Sequence, residues 1–247
     1  MTRYDTIGRS YAQTRRTDPR IASAIWRALG EARTVVNVGA GTGSYEPADR
    51  RIVAVEPSRT MIEQRAAGAA VALQAVAESL PFPDDTFDAA LAVLTIHHWT
   101  DVELGLREIQ RVARGQVVFM FNHVTSNEFW LVADYFPEVR ELETEKPPTS
   151  EAVAAMLDAT RIEAVPVPSD CIDGFGGSFW NRPEAYLDPA VQEGMSSFAQ
   201  LDPAVRARGT ARLRADLASG AWDARYGGLR ALPELDLGYR LVVAGVP

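Results

Sequence analysis

A single cysteine, Cys171, in 247 residues excludes an intrachain disulfide and leaves no cysteine set for a metal site. That scarcity suits a reducing compartment, and a soluble, cytoplasmic protein is expected. No stretch approaches the ~18 uninterrupted apolar residues of a membrane span. The N-terminus, Met1-Thr-Arg-Tyr-Asp, lacks the apolar segment of a secretory signal, so no membrane partner is expected. Positive charge is in deficit, with 25 Lys and Arg against 33 Asp and Glu and a net charge of -8. A phosphate backbone needs a concentrated basic face, which argues against nucleic acid as a partner. The densest basic cluster, Arg206, Arg208, Arg212 and Arg214, sits among acidic and alanine residues in a helical stretch and reads as a solvated face. Histidine is equally scarce: His97, His98 and His123 are all the chain has.

What the chain does hold is apolar mass. With 47% hydrophobic and 23% charged residues it suffices for one α/β domain with a generous core and an appendage. The stretch that organises it is Val35 to Gly43, Val-Val-Asn-Val-Gly-Ala-Gly-Thr-Gly. A short apolar run there breaks into glycine at every second position, the pattern of a buried strand feeding a tight turn where main chain approaches a ligand. Gly39, Gly41 and Gly43 let backbone N–H groups face a bound molecule. The dinucleotide pattern G-x-G-x-x-G requires its third glycine at position 44, where this chain has Ser44. That form is therefore disfavoured.

The remaining elements follow in order. Ser10 to Arg16 reads as a polar, aromatic helix or flap carrying Tyr11, and Pro19 to Leu29 as a helix with Ile21, Ile25 and Leu29 on one face. Ile52 to Val55 is a second strand ending in Glu56, and Pro47 restricts the short connection before it to a turn or two of helix. Ser58 caps a helix that runs toward Gly68. Val71 to Val76, Phe87 to Leu94 and Val117 to Phe121 are further strands, and Gly115 ends a helix spanning Asp101 to Ala113. This alternation implies a parallel sheet covered on both faces. Beyond Asn122 come an aromatic helix from Asn127 to Phe136, a helix from Thr149 to Ala159 and a sixth strand from Ile162 to Val167. Helices are expected at Pro183–Leu187, Pro189–Ala199 and Pro203–Leu217, and Gly238 to Ala244 is the last strand. The division is one domain, 1–247: N-terminal helices or flap 1–33, ligand-binding half 34–122, helices and sixth strand 123–167, a lid or pocket insertion 168–232, and the last strand within 233–247.

Val35–Gly43, Val53-Ala-Val-Glu-Pro-Ser58, Ala77-Glu-Ser-Leu-Pro-Phe82, Phe87-Asp88 and Ile96-His-His98, in that order, resemble class I S-adenosylmethionine-dependent methyltransferases. The nearest type is the ubiquinone/menaquinone C-methyltransferase-like (type 11) group, over residues 33 to 121. The resemblance implies a Rossmann-like open twisted sheet, mostly parallel with an antiparallel last strand, helices on both faces and a helical lid insertion. It also implies S-adenosyl-L-methionine as cofactor and S-adenosyl-L-homocysteine as product. Carried over, Gly39, Ala40, Gly41 and Gly43 line the methionine part, and Glu56, followed by Pro57, binds the ribose hydroxyls. Ala77 and Glu78 flank adenine, Met61 sits against an adenine face or serves ordinary helix packing, and Leu94 and Thr95 border the methyl group. Two positions depart from the family. Asn37 stands where an acid is usual and keeps only a neutral acceptor for the cofactor's ammonium, so aspartate there is expected to tighten binding. Val76 stands where aspartate is common, leaving adenine to backbone, packing or Glu78.

A sulfonium carries its own leaving group, so the protein mainly holds a nucleophile in line, with a base where the nucleophile must lose a proton. His97, His98 and His123 are the candidate bases. On an extended segment the adjacent pair would point in opposite directions, so at most one would face substrate, and no metal site is expected from them. Tyr11, Trp130, Phe175, Phe179 and Trp180 are candidates for a pocket that takes a small, apolar or aromatic methyl acceptor, and each equally suits a core. A cofactor-binding protein without turnover, such as a regulator or scaffold, and a nucleotide-dependent oxidoreductase are the competing readings.

Overall fold

The computed structural model describes residues 15–142 and 148–246. Tyr11 and most of the proposed 10–16 helix lie outside them. The first helix, α1 (Pro19–Ala28), starts where the buried Asp18 carboxylate accepts from the Arg20 N–H at 3.0 Å, with proline at its first position. Its face of Ile21, Ala22, Ile25 and Ala28 is buried. The main sheet comprises β1 (Thr34–Val38), β2 (Arg51–Val55), β3 (Val71–Leu73), β4 (Phe87–Val93), β5 (Ala113–Phe121), β6 (Arg161–Ala164) and, last in the chain, β9 (Tyr239–Ala244). They lie in the order β3-β2-β1-β4-β5-β9-β6. Neighbours from β3 through β5 are parallel, and β9 runs antiparallel to both β5 and β6. A separate two-stranded ribbon pairs β7 (Val167–Pro168) with β8 (Glu234–Leu235).

Successive strand residues point to opposite faces, so each strand feeds two cores. Val35, Val117, Phe119 and Leu241 pack with α1 and with the aromatic residues of the insertion. Their neighbours Val36, Val118, Met120 and Val242 pack on the other face against Leu106, Ile109 and Val112 of α3 (Val102–Val112) and Val153 of α5 (Ser150–Met156). Between these lie α2 (Arg59–Glu63), capped by Ser58, and α4 (His123–Ser126). The insertion carries α6 (Pro189–Glu193), α7 (Ser196–Gln200), α8 (Pro203–Ser219) and α9 (Ala221–Tyr226). The arginines of α8 lie largely on its solvent side, where Arg208 pairs with Glu138 and Arg212 covers the Tyr135 ring.

Several boundaries differ from the sequence expectation, each for a local reason. The β1–β2 connection holds turns and no helix. Gly115 lies inside β5 and does not end α3; a Cβ there would meet Val246 at 2.6 Å, so the glycine admits the C-terminal segment. The aromatic run does not form one helix. Phe129, Trp130, Leu131, Tyr135 and Phe136 are all buried, which no single helical stripe satisfies, and the backbone resolves into α4 followed by a π-type turn at Leu131–Tyr135. The sixth strand stops at Ala164 because Pro166 has no N–H for the ladder. The Pro189–Ala199 helix divides at Gly194 and Met195 into α6 and α7.

Burial raises the phenol pKa of Tyr45, Tyr186 and Tyr239, and that of Tyr135 is pushed up to about 12. Unfolded tyrosine ionises near 10. Above that pH the unfolded chain releases protons that the fold retains, so stability is complete below about pH 10 and falls as pH rises beyond it. A urea midpoint that drops between about pH 8 and about pH 11, with tyrosinate absorbance rising only on unfolding, is the expected result. An unchanged midpoint would contradict it.

Candidate active site

The C-terminal ends of β1, β2 and β4 open onto a cavity of about 450 Å³, the edge where an open α/β sheet places its ligands. Its floor is the glycine turn. Gly39, at φ +68°, donates its N–H to Val55 O at 2.8 Å, which fixes the turn to the end of β2. A Cβ on Gly39 would lie 2.0 Å from Thr95 Oγ1, so only glycine lets the β1 turn pass the end of β4. Gly41, at φ +53°, has Met61 Cε 3.4 Å from the place of its Cβ.

Three polar groups give this cavity its chemistry. Asn37 is 1% exposed, and its Nδ2 donates to Glu46 Oε1 at 2.9 Å, while Oδ1 is buried with no hydrogen-bond partner among the described residues. Glu46 is held by Arg65 at 2.7 Å, and Arg65 also donates to Gly41 O. Glu56 accepts from the Gly41 N–H and the Ser58 N–H, both at 2.8 Å. A carboxylate is an acceptor-only group with about four acceptor positions, and Glu56 lines the cavity at the end of β2. On the far wall Glu78 Oε1 accepts from the Thr100 N–H at 2.6 Å, and the buried Trp99 Nε1 has no partner among the described residues.

A second cavity, of about 190 Å³, adjoins the first, and Arg15, Leu94, His97 and His98 line both. Leu94 at this junction has φ +50°, a conformation unusual for a side-chain-bearing residue, and its N–H donates to Phe119 O at 2.7 Å. Phe121, Phe129, Phe175, Met195, Phe198 and Leu237 make the second chamber's walls predominantly apolar. Arg15 bonds Asp173 at 2.6 and 3.1 Å, and Asp173 also accepts from Tyr45 Oη at 2.7 Å. This network ties the segment before α1 to the insertion.

The sequence candidates divide as follows. Asn37, Gly39, Ala40, Gly41, Glu56, Pro57, Met61, Ala77, Glu78 and Leu94 line the larger cavity, and Gly43 does not; a Cβ there would face Arg65 and Glu46 at 3.2 Å. His123 lines the second chamber. His97 and His98 do not occupy an extended segment. They lie in a 3-10 turn, Ile96–His98, with ring centroids 3.8 Å apart, so both face the junction. Among the aromatic candidates Phe175 lines the chamber, whereas Trp130, Phe179 and Trp180 line neither cavity. Trp130 and Trp180 are buried because each indole N–H finds a backbone carbonyl, Trp180 O and Val167 O respectively, and Phe179 packs edge-on against Tyr186. They brace the insertion. Arg15, Thr100 and Trp99 lie on the cavity walls without a sequence signal that marks them.

Glu46 reverses the expectation for Asn37→Asp. Aspartate would lose the donated bond and set a second carboxylate against Glu46, so the variant is expected to lose about 1–3 kcal/mol of stability and to bind cofactor no more tightly. Urea melts and calorimetry would check both, and a stable, tighter-binding variant would contradict this reading.

Among the described residues no group of three or more His, Cys, Asp or Glu is arranged to hold a metal, and no helix is long and apolar enough to cross a membrane. Residues 36–121 match the family model described as a methyltransferase domain. A solved structure of a putative methyltransferase from an antibiotic biosynthesis pathway of Anabaena variabilis is 34% identical, with a TM-score of 0.84, over 94% of this chain and 99% of that one. The uncharacterized methyltransferase YcgJ of Bacillus subtilis is 31% identical over 115 residues, 42% of each chain. The ubiquinone/menaquinone C-methyltransferase UbiE of Stenotrophomonas maltophilia is 39% identical over 66 residues, 26% of each. The chain thus spans under half the length of these two curated relatives. The orphaned Asn37 Oδ1 and the glycine cradle fit the cofactor such proteins use. On the likeness along nearly its whole length, the chain belongs to the class I S-adenosylmethionine-dependent methyltransferases.

Proposed function

We propose that the protein transfers a methyl group from S-adenosylmethionine to a small, predominantly apolar acceptor. The observation that carries this reading is the meeting of two chemically distinct cavities at Leu94, His97 and His98. One has a glycine floor and polar groups suited to the cofactor, and the other has apolar walls suited to an acceptor. Asn37 Oδ1 would accept from the cofactor's ammonium, and the Gly39–Gly41 backbone would cradle the amino-acid part. Glu56 would take the ribose hydroxyls while Met61 packs beside the base. The Val76 side chain offers adenine no hydrogen bond, which leaves the base to backbone groups, packing or Glu78 on the same wall. When bound, the sulfonium supplies an activated methyl group. The protein's part is to exclude water and hold the acceptor at the junction, where positioning alone is worth about 7–11 kcal/mol.

Release of S-adenosylhomocysteine in the presence of a panel of apolar hydroxylated, amino and carbon-acid acceptors tests the reading. Turnover with at least one acceptor supports it. Tight cofactor binding without turnover on any of them would favour the regulator or scaffold reading.

A further inference from the structure

One end of the main sheet is β6, and the outer edge of that strand has no neighbour among the described residues. An open edge is a template for another strand, and proteins commonly blunt it with charge or by keeping it short. β6 has four residues, Arg161-Ile162-Glu163-Ala164, and carries two charges. Those charges are opposite in sign and two places apart. They discourage most partners and match one, a second copy of the same strand.

The ladder decides which groups this edge offers. Val165 donates its N–H to Tyr239 O at 3.0 Å, in the register that pairs Glu163 with Leu241 and Arg161 with Val243. Antiparallel bonds alternate along a strand, so Glu163 and Arg161 also bond toward β9, and the N–H and C=O of Ile162 point outward. Side chains alternate as well. Arg161 and Glu163 stand on the face of Leu241 and Val243, with Nε and Oε1 2.6 Å apart. Ile162 stands beside Val242 on the opposite face, which α5 covers. It is 39% exposed, and Met156 on α5 is 42% exposed.

We propose that β6 pairs antiparallel with β6 of a second copy across a two-fold axis at Ile162, joining the two sheets into one. In this register each Ile162 donates its N–H to the Ile162 O of the other copy, and each Arg161 lies opposite the Glu163 of the other. Residues opposed in this way, between hydrogen-bonded pairs, have Cα atoms about 4.5 Å apart. Opposite charges there stabilise the pairing, and like charges oppose it. On the other face the two Ile162 side chains meet, with Met156 of each copy on the same side of the joined sheet. The next registers that the outward groups allow place the axis at Arg161 or at Glu163, and each sets a charge against its own copy. The strand therefore specifies one register as well as one partner.

Sedimentation velocity of the wild type from about 1 µM to about 1 mM should show a monomer–dimer equilibrium. Ile162→Pro removes the central N–H at an edge position, where proline is tolerated because no ladder bond within the sheet is lost, and should give a monomer. Arg161→Glu and Glu163→Arg should each be monomeric alone, because like charges then face one another. Mixed in equal amounts, these two variants should associate as a heterodimer, which also shows that neither is misfolded. The double exchange Arg161→Glu with Glu163→Arg should dimerise as the wild type does. A wild type that stays monomeric at every concentration would overturn the proposal, and so would a mixture of the single variants that does not associate. A dimer that survives Ile162→Pro and both charge reversals has its interface elsewhere and would overturn it equally.

Discussion

Gly39→Ala should abolish measurable S-adenosylhomocysteine binding and destabilise the fold by several kcal/mol. Two costs add at this position. The backbone sits at φ +68°, where an L side chain costs about 1–2 kcal/mol. The new Cβ would also fall 2.0 Å from Thr95 Oγ1 and 2.8 Å from Thr95 Cβ, and relieving such overpacking typically costs about 1–3 kcal/mol. The turn cannot retreat freely, because the Gly39 and Ala40 N–H groups both donate to Val55 O, at 2.8 and 3.0 Å. Whatever gives way displaces the floor of the larger cavity. Gly68→Ala is the control: φ is +84° there, and nothing lies within 4 Å of the added carbon. It pays the backbone cost alone and should keep full binding. Urea midpoints and calorimetric titration of the pair would measure the difference, and equal behaviour of the two variants would contradict the close approach of Gly39 to Thr95.

Asp173→Ala should cost about 3–5 kcal/mol, the usual loss when one partner of a buried ion pair is removed. Asp173 has no exposed surface, and the Arg15 side chain retains only 8%. The carboxylate accepts from Arg15, from Tyr45 Oη at 2.7 Å, from the Arg16 N–H at 3.2 Å and from the Gly174 N–H at 2.8 Å. Alanine removes the shared acceptor of these four groups, a guanidinium among them. Asp173→Asn keeps an acceptor and should lose less. Because Arg15 lines both cavities, the alanine variant should also weaken S-adenosylhomocysteine binding, whereas a stability loss under about 1 kcal/mol would mean that the pair behaves as an exposed one.

These two residues show how differently parts of the site could be read in advance. Gly39 belongs to a nine-residue pattern whose spacing alone announces a strand and a backbone-lined turn, Glu56 follows at the end of the next apolar run, and Glu78 is marked only by the family resemblance. Contacts of this kind are local, or are set by strands that pair in register: Asn37 lies beside Ala54 and Leu91. Asp173 is separated from Arg15 by 158 positions and sits in a glycine-rich loop with no periodicity, so nothing local marks their pairing. The same holds for Glu46, whose role as partner of Asn37 and Arg65 appears only once the turn is folded. Aromatic residues suit a core and a pocket wall equally in sequence, for a physical reason. Trp130 and Trp180 carry one N–H each, and a backbone carbonyl satisfies it equally well in a core or in a pocket wall. His97 and His98 do not alternate as on a strand because a 3-10 turn holds them, and the three residues that form it carry no periodicity to mark it.

The most direct measurement is a calorimetric titration of the wild type with S-adenosylhomocysteine, run beside Gly39→Ala. The cavity floored by the glycine turn, with Asn37 Oδ1 awaiting a donor, requires saturable one-to-one binding by the wild type and its loss in the variant. No binding by the wild type, or equal binding by both, would contradict the assignment of that cavity to the cofactor.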